Sequence, residues 1–236
     1  MTRRDRRRSR ALARGNHDTS KPQAPAQTRL SINFGCVDRK ALLLGTALVS
    51  TLLLGTIATP TPANAVVTCA TDVGSGLPID HTGETEPIIC VNTEARTGTN
   101  VPAIELSTTG DDNYISLYNR GPLSVTSTVD VDGIEIETAD DRSRVLIENK
   151  GDLSVASDTD ADGIDVETDG EGSFVKITNS GGIKVTSYGE DANAIEVNTD
   201  DDSAFVIVTN SGALNVAADE DADGIDVETD GEGSFV

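Results

Sequence analysis

The chain has 236 residues, of which 40 are Asp or Glu and 18 are Lys or Arg, so its formal net charge at pH 7 is −22. Residues 1–65 hold 11 basic and 3 acidic residues, and residues 66–236 hold the remaining 7 basic and 37 acidic ones. A segment with a formal charge of −30 repels phosphate backbones and anionic headgroups, which argues against binding to nucleic acid or to an anionic membrane surface.

The first 65 residues have the order of a secretory signal. A basic arm precedes an apolar run free of charge at residues 41–58, and Ala63-Asn64-Ala65 follows. This order predicts an extended signal peptide, residues 1–65, that is cleaved after Ala65. One alternative is a retained transmembrane helix, because the run is near the length that spans a bilayer. Another is a twin-arginine route, although the Arg pairs lie far from the apolar run.

Residues 66–99 do not fit the repeat that follows them. They hold Cys69 and Cys90, the cysteines that remain once Cys36 leaves with the signal. Two cysteines in an exported segment favour a disulfide over free thiols, and His81 alone adds too few ligands for a metal site. We expect a small N-terminal cap, residues 66–99, closed by a Cys69–Cys90 disulfide and covering an open strand edge.

From residue 100 the chain repeats every 30 or 31 residues. Each copy holds three short alternations, such as Ile164/Val166 and Val175/Ile177, in which one residue separates two aliphatic ones. This is the period of a strand with one buried face, and the intervening Gly, Asp, Ser and Asn favour turns. The pattern predicts an all-β parallel β-helix (a β-solenoid), whose coils of about 30 residues have three short strands each and stack around a shared core.

An Asn and a Gly two residues later also recur once per coil. The positions are Asn119, Asn149, Asn179 and Asn210, and Gly121, Gly151, Gly181 and Gly212. Stacked Asn side chains can bond along a cross-β column, and we attribute the Gly to a tight turn at positive φ. A polar binding groove is the alternative interpretation. Residues 160–175 recur letter for letter at 221–236, so the higher-order unit is two coils.

Outward positions of the first strand in each coil form an acidic column. Its members are Glu105, Glu135, Asp165, Glu196 and Asp226. Stacking in register places these carboxylates about 4.8 Å apart, where like charges repel. Asp-x-Asp-x-Asp-Gly stretches precede two of these strands and are similar to the start of calcium loops.

The calcium interpretation selects eight candidate ligands. They are Asp158, Asp160, Asp162, Asp169, Asp219, Asp221, Asp223 and Asp230. Asp169 and Asp230 fall at the twelfth loop position, where an EF-hand has Glu. No flanking helices are expected, and the intermediate coil lacks the pattern. The alternative is a solvated acidic face that attracts cations by screening and keeps the chain soluble. No other cofactor is expected.

The long basic leader, the Ala-Asn-Ala site and repeats of the form Asp-Gly-Ile-x-Val…Val-x-Ile-x-Asn-Ser-Gly resemble bacterial autotransporter passengers. The resemblance covers essentially the whole chain and is specific for architecture rather than activity. It implies a right-handed β-helix that the secretion machinery exports and that a C-terminal outer-membrane β-barrel carries outward. It also implies an adhesin or stalk role, with a host or cell-surface ligand as partner.

No segment has the ten-residue alternation and aromatic girdles of such a barrel, and residue 236 falls within a strand pair. We therefore expect residues 100–236 to be a truncated set of repeats, with membrane contact only through the missing barrel. The expected location is the periplasm for this chain. For a full-length parent it is the outer membrane, the cell surface or the exterior.

Catalytic motifs are scarce. A serine hydrolase needs a base, yet His81 is the one His after the predicted cleavage site and no Gly-x-Ser-x-Gly is present. Asp and Glu pairs could serve a glycosidase, but acidic residues are too abundant to single out a pair. We expect a non-catalytic protein. The alternative is a fragment of a β-helical carbohydrate-active enzyme.

Overall fold

The computed structural model describes residues 67–69, 76–139, 141–189, 191–200 and 202–236. The predicted signal peptide and its cleavage site lie outside these residues. In the described part, every regular element is a β-strand. It contains no helix of the length and hydrophobicity that crossing a bilayer requires.

In chain order the strands are β1 (Val67–Thr68), β2 (Ile79–Glu84), β3 (Ile88–Asn92), β4 (Arg96–Thr99), β5 (Ile104–Thr108), β6 (Tyr114–Asn119), β7 (Leu123–Ser127), β8 (Val131–Thr138), β9 (Arg144–Asn149), β10 (Leu153–Ser157), β11 (Ala161–Thr168), β12 (Phe174–Asn179), β13 (Ile183–Ser187), β14 (Ala192–Thr199), β15 (Phe205–Asn210), β16 (Leu214–Ala217) and β17 (Ala222–Thr229). They form three sheets. Sheet A contains β1, β3, β6, β9, β12 and β15; sheet B contains β4, β7, β10, β13 and β16; sheet C contains β2, β5, β8, β11, β14 and β17.

All strand pairs are parallel and join equivalent positions of successive coils. In sheet C, Ile164 lies between Ile134 and Ile195. In sheet A, Val175 lies between Val145 and Val206. The predicted parallel β-helix is therefore confirmed, with one strand per sheet in each regular coil.

The core follows from the alternation in the sequence. Inward residues such as Ile134, Ile164 and Ile177 are completely buried, and they form one continuous apolar cluster through the coils. Each coil has too little apolar surface to close a core alone, so stability comes from stacking on its neighbours.

Residues 76–99, which fall within the N-terminal cap expected at residues 66–99, supply one strand to each sheet. Their offsets to the next coil are shorter than 30, as in the pairs Ile79–Ile104 and Ile88–Ile115. The buried Arg96 takes the register position of Leu123 and donates to Asn92 Oδ1 at 2.9 Å. A charged side chain in an apolar slot, together with irregular spacing, hides this coil from a search for periodicity.

Cys69 and Cys90 form a disulfide that links the end of β1 to β3. Their Cα atoms are 4.7 Å apart, and both residues are buried in the core cluster. The link therefore fastens the first described strand to the coil that follows it.

A ladder of Asn side chains runs along the corner at which the strands of sheet A end. Each Asn amide donates to the side-chain oxygen of the Asn in the next coil, over 2.7–2.8 Å from Asn92 to Asn210. The expectation that the accompanying Gly residues need positive φ is wrong, because none of the four adopts it. They are required by close approach: a Cβ on Gly181 would collide with the carbonyl oxygen of Gly151.

Candidate cation-binding face

The outward side of sheet C carries the predicted acidic column. The register places Glu105, Glu135, Asp165, Glu196 and Asp226 on successive strands. Parallel in-register pairing brings equivalent side chains to about the strand spacing of 4.8 Å. The column is thus a direct product of the repeat.

The middle of this column is not a solvated face. Asp165 is 2% exposed and Glu196 is 4% exposed. Asp132 of β8 and Asp162 of β11, three positions before the column residues of their own strands, are 4% and 3% exposed. Burial of carboxylates is costly unless hydrogen bonds or opposite charges compensate it, so this face is a candidate for cations.

The strands break their alternation at an internal Gly. Strict alternation would put Asp132 and Ile134 on one face, yet the Asp132 carboxylate lies with that of Glu135. A Cβ on the intervening Gly133 would lie 2.6 Å from the Gly163 carbonyl oxygen, so only Gly fits there. Gly within a strand pattern is a signal for such an irregularity, and the recurring Asp-Gly could have revealed it.

Among the described residues, two groups of three carboxylates lie close together. Asp132, Glu135 and Asp165 form the first triad. Glu167, Asp169 and Asp200 form the second triad. In each, the nearest carboxylate oxygens all lie within 4.8 Å of one another. Hard divalent cations prefer such oxygens, but Ca²⁺ takes six to eight of them, so a triad supplies part of a coordination shell.

The eight residues predicted to bind Ca²⁺ are only partly brought together. Asp169 joins the second triad. Within the part of the chain that the structure describes, Asp158, Asp160, Asp162, Asp219, Asp221, Asp223 and Asp230 join no group of three carboxylates. Asp160 and Asp162 instead accept backbone N–H bonds from Asp191 and Asn193 of the next coil, both over 3.1 Å. Asp158 and the four residues of the last coil are exposed. The other five triad residues were not among the candidate ligands that the sequence pattern selected.

In the fourth regular coil, which contains β14, the column carboxylate of Glu196 is hydrogen-bonded by amide side chains. Asn193 and Asn198 each donate a side-chain N–H to Glu196, over 2.8 Å. The register partners of these two residues in the preceding coil are Asp162 and Glu167. Ionised carboxylates have no proton to donate, so that coil cannot copy this arrangement. Amide donors thus relieve the repulsion where the acidic pattern is interrupted.

Glu105 shows the electrostatic effect of the column. Burial raises the pKa of Glu105 above its ordinary value, and the neighbouring Asp80, Glu137 and Asp132 raise it further. Both causes disfavour the ionised form. At Glu105, therefore, the ionised form carries a cost of burial and repulsion that a proton can relieve.

Comparison with known proteins gives no further guide to this face. No protein-family model matches the chain, no curated protein matches it, and no solved structure matches it.

Proposed function

We propose that the chain is an exported, non-catalytic β-helical passenger of an autotransporter-like surface protein, with an adhesin or stalk role. The observation that carries the proposal is the unbroken stack of coils that begins at the Cys69–Cys90 disulfide. Disulfides persist in oxidising compartments, which favours export. The signal-like order of residues 1–65 supports the same route.

A stack of this kind suits a stalk. Contacts between coils are made only with neighbours, so length can increase without a new core. The Asn ladder adds a column of buried hydrogen bonds at one corner. The acidic excess of residues 66–236 favours solubility, since net charge far from zero opposes association.

A catalytic role has weaker support. His81 Nδ1 lies 3.8 Å from Glu84 Oε1, and no hydrogen-bond partner reaches its Nε2 among the described residues. A serine nucleophile would need to bond to that nitrogen. The triads could instead supply paired carboxylates to a carbohydrate-active enzyme. Release of reducing ends from a polysaccharide, lost on Asp165→Asn, would favour that alternative.

Export is tested by expressing the full chain in a Gram-negative bacterium and isolating its periplasmic fraction. We expect an intact mass that corresponds to residues 66–236 with Cys69 and Cys90 bridged. Cys69→Ser should lower the yield of folded protein in that fraction, whereas Cys36→Ser, within the predicted signal, should not. A periplasmic protein that begins at Met1, or one with two free thiols, would count against the proposal.

A further inference from the structure

The outward side of sheet A differs from that of sheet C in carrying aromatic and basic side chains. The register stacks Tyr114, Arg144, Phe174 and Phe205 on successive strands. The rings of Phe174 and Phe205 are stacked with centroids 5.8 Å apart and 11° between their planes. An aromatic row therefore runs along the solenoid axis, with one guanidinium inserted in it.

This row borders a depression of about 700 Å³, which we name the sheet A groove. Its lining includes Tyr114, Arg142, Arg144, Leu146 and Phe174. A smaller depression of about 150 Å³ shares Leu146 and extends to Lys176. The groove is within the size range of ligand sites, and its combination of apolar surface with a few polar groups is typical of them.

The cations of this face are only partly neutralised. Arg142 forms a bidentate pair with Asp112, with Nε–Oδ1 and Nη2–Oδ2 distances of 2.7 and 3.1 Å. Lys150 pairs with Glu148. Arg144 and Lys176 are exposed and form neither an ion pair nor a side-chain hydrogen bond within the described ranges. The groove thus presents one available cation, Arg144, and the smaller depression beside it presents another, Lys176, although residues 66–236 carry a formal charge of −30.

We propose that the sheet A groove binds a linear glycan whose sugar rings carry carboxylates. A guanidinium matches a carboxylate with two parallel hydrogen bonds, and Arg144 is free to form them. The apolar faces of sugar rings can pack on Tyr114 and Phe174, as the aromatic row and Leu146 offer flat apolar area. The row repeats along the axis, so it fits a polymer with a repeating unit better than a compact ligand.

A second copy of this chain fits the groove less well. Its acidic column also offers carboxylates, but the contact would bring together two bodies that each have a formal charge of −30. A single glycan chain brings about one charge for every one or two sugars, and at physiological ionic strength charges beyond about 8 Å are largely screened. Asp112 lines the groove and pairs with Arg142, and Glu148 lines the smaller depression and pairs with Lys150.

The inference deepens the adhesin role and rests on it for biological meaning. Binding is nevertheless measured on the purified full chain, and export is measured by fractionation, so failure of one is distinguishable from failure of the other.

The test is calorimetry at physiological ionic strength with hexasaccharides of galacturonate, hyaluronan and mannuronate. The methyl-esterified galacturonate keeps the rings without the charge, and hexaglutamate keeps carboxylates without the rings. We expect at least one carboxylated glycan to bind roughly tenfold more tightly than both of these, a ratio of about 1.4 kcal/mol. Absence of binding by all three glycans overturns the proposal. Equal affinity for hexaglutamate also overturns it and indicates an acidic protein partner or a second copy.

Variants locate the site. Arg144→Gln and Phe174→Leu, which keeps apolar volume without the ring, should each weaken binding by roughly tenfold. Lys184→Gln is the matched control, because Lys184 is an exposed cation on the outward side of sheet B. Circular dichroism checks that each variant folds, and residues 1–65 with their basic arm are common to all of them. Unchanged binding by Arg144→Gln, or an equal loss with Lys184→Gln, overturns the groove as the site.

Discussion

Two adjacent residues of β11, Ile164 and Asp165, lie on opposite sides of sheet C. Ile164 is completely buried against the core, and Asp165 is 2% exposed on the opposite side of the sheet. The sequence predicts which side each faces, because alternation is enough for that. It does not predict that Asp165 is shielded from water, since this depends on the neighbouring carboxylates of Asp132 and Glu135.

Truncation of a core residue should be costly only where coils cover it on both sides. Ile164→Ala removes a fully buried side chain, so we expect a loss of about 2–5 kcal/mol in the free energy of unfolding. Ile225 has the equivalent register position in the last coil and is 43% exposed. Ile225→Ala should cost clearly less. Urea denaturation of both variants checks this, and equal losses would mean that the register is wrong.

Stability should depend on pH through Glu105. Its folded pKa is raised, chiefly by burial and then by Asp80, so its ionised form destabilises the fold at pH 7. That cost disappears as the pH falls through the folded pKa towards the unfolded value. Glu105→Gln should therefore raise the melting temperature at pH 7, and its advantage should shrink on acidification.

Glu148 provides a control of opposite sign. Its hydrogen bond from Lys150 lowers the pKa of Glu148, so its contribution is present above the unfolded pKa and is lost as the pH falls. Glu148→Gln should slightly lower the melting temperature at pH 7. If both Gln variants shift it in the same direction, the electrostatic assignment of these two residues is wrong.

At the scale of elements, the sequence predicts the regular coils well, because period and alternation agree. It does not assign the strands of residues 76–99, where the offsets between paired strands are 25 for Ile79–Ile104 and 27 for Ile88–Ile115. It also misses the triads, because both depend on contacts between coils and the first depends in addition on the interrupted alternation at Gly133. Distances between side chains of different coils cannot be obtained from spacing alone.

The corner after sheet A offers a sharp test of backbone approach. A Cβ on Gly181 would collide with the Gly151 carbonyl oxygen, whereas one on Gly182 would meet Asp152 Oδ1 at 3.3 Å, an atom that can move. We expect Gly181→Ala to cost about 1–3 kcal/mol, as overpacking does. Gly182→Ala should be close to neutral. Chemical denaturation measures the free energy of unfolding of both variants. If Gly181→Ala leaves it unchanged, the close approach of the two backbones is wrong.

At the scale of the whole molecule, the solenoid separates chemistry by face. Whatever residue occupies one position of the repeat is stacked on its equivalents, so the acids gather on sheet C and the rings on sheet A. This partition is readable from the sequence once the register is known. The sequence does not show which carboxylates lie close together in space. It also does not show which Arg and Lys side chains are left without an ion pair.

The acidic column should make the stability of the whole molecule sensitive to salt. Added monovalent salt should raise the melting temperature, because it screens repulsion between carboxylates of successive coils. At constant ionic strength, millimolar Ca²⁺ and Mg²⁺ should raise the melting temperature equally. A triad supplies at most part of the six to eight oxygens that Ca²⁺ selects. The double variant Asp132→Asn with Asp165→Asn should reduce the response to every cation. Asp219→Asn, at an exposed position outside both triads, is the control. A rise that is selective for Ca²⁺ and is lost in the double variant would instead mean that the first triad holds a specific calcium site.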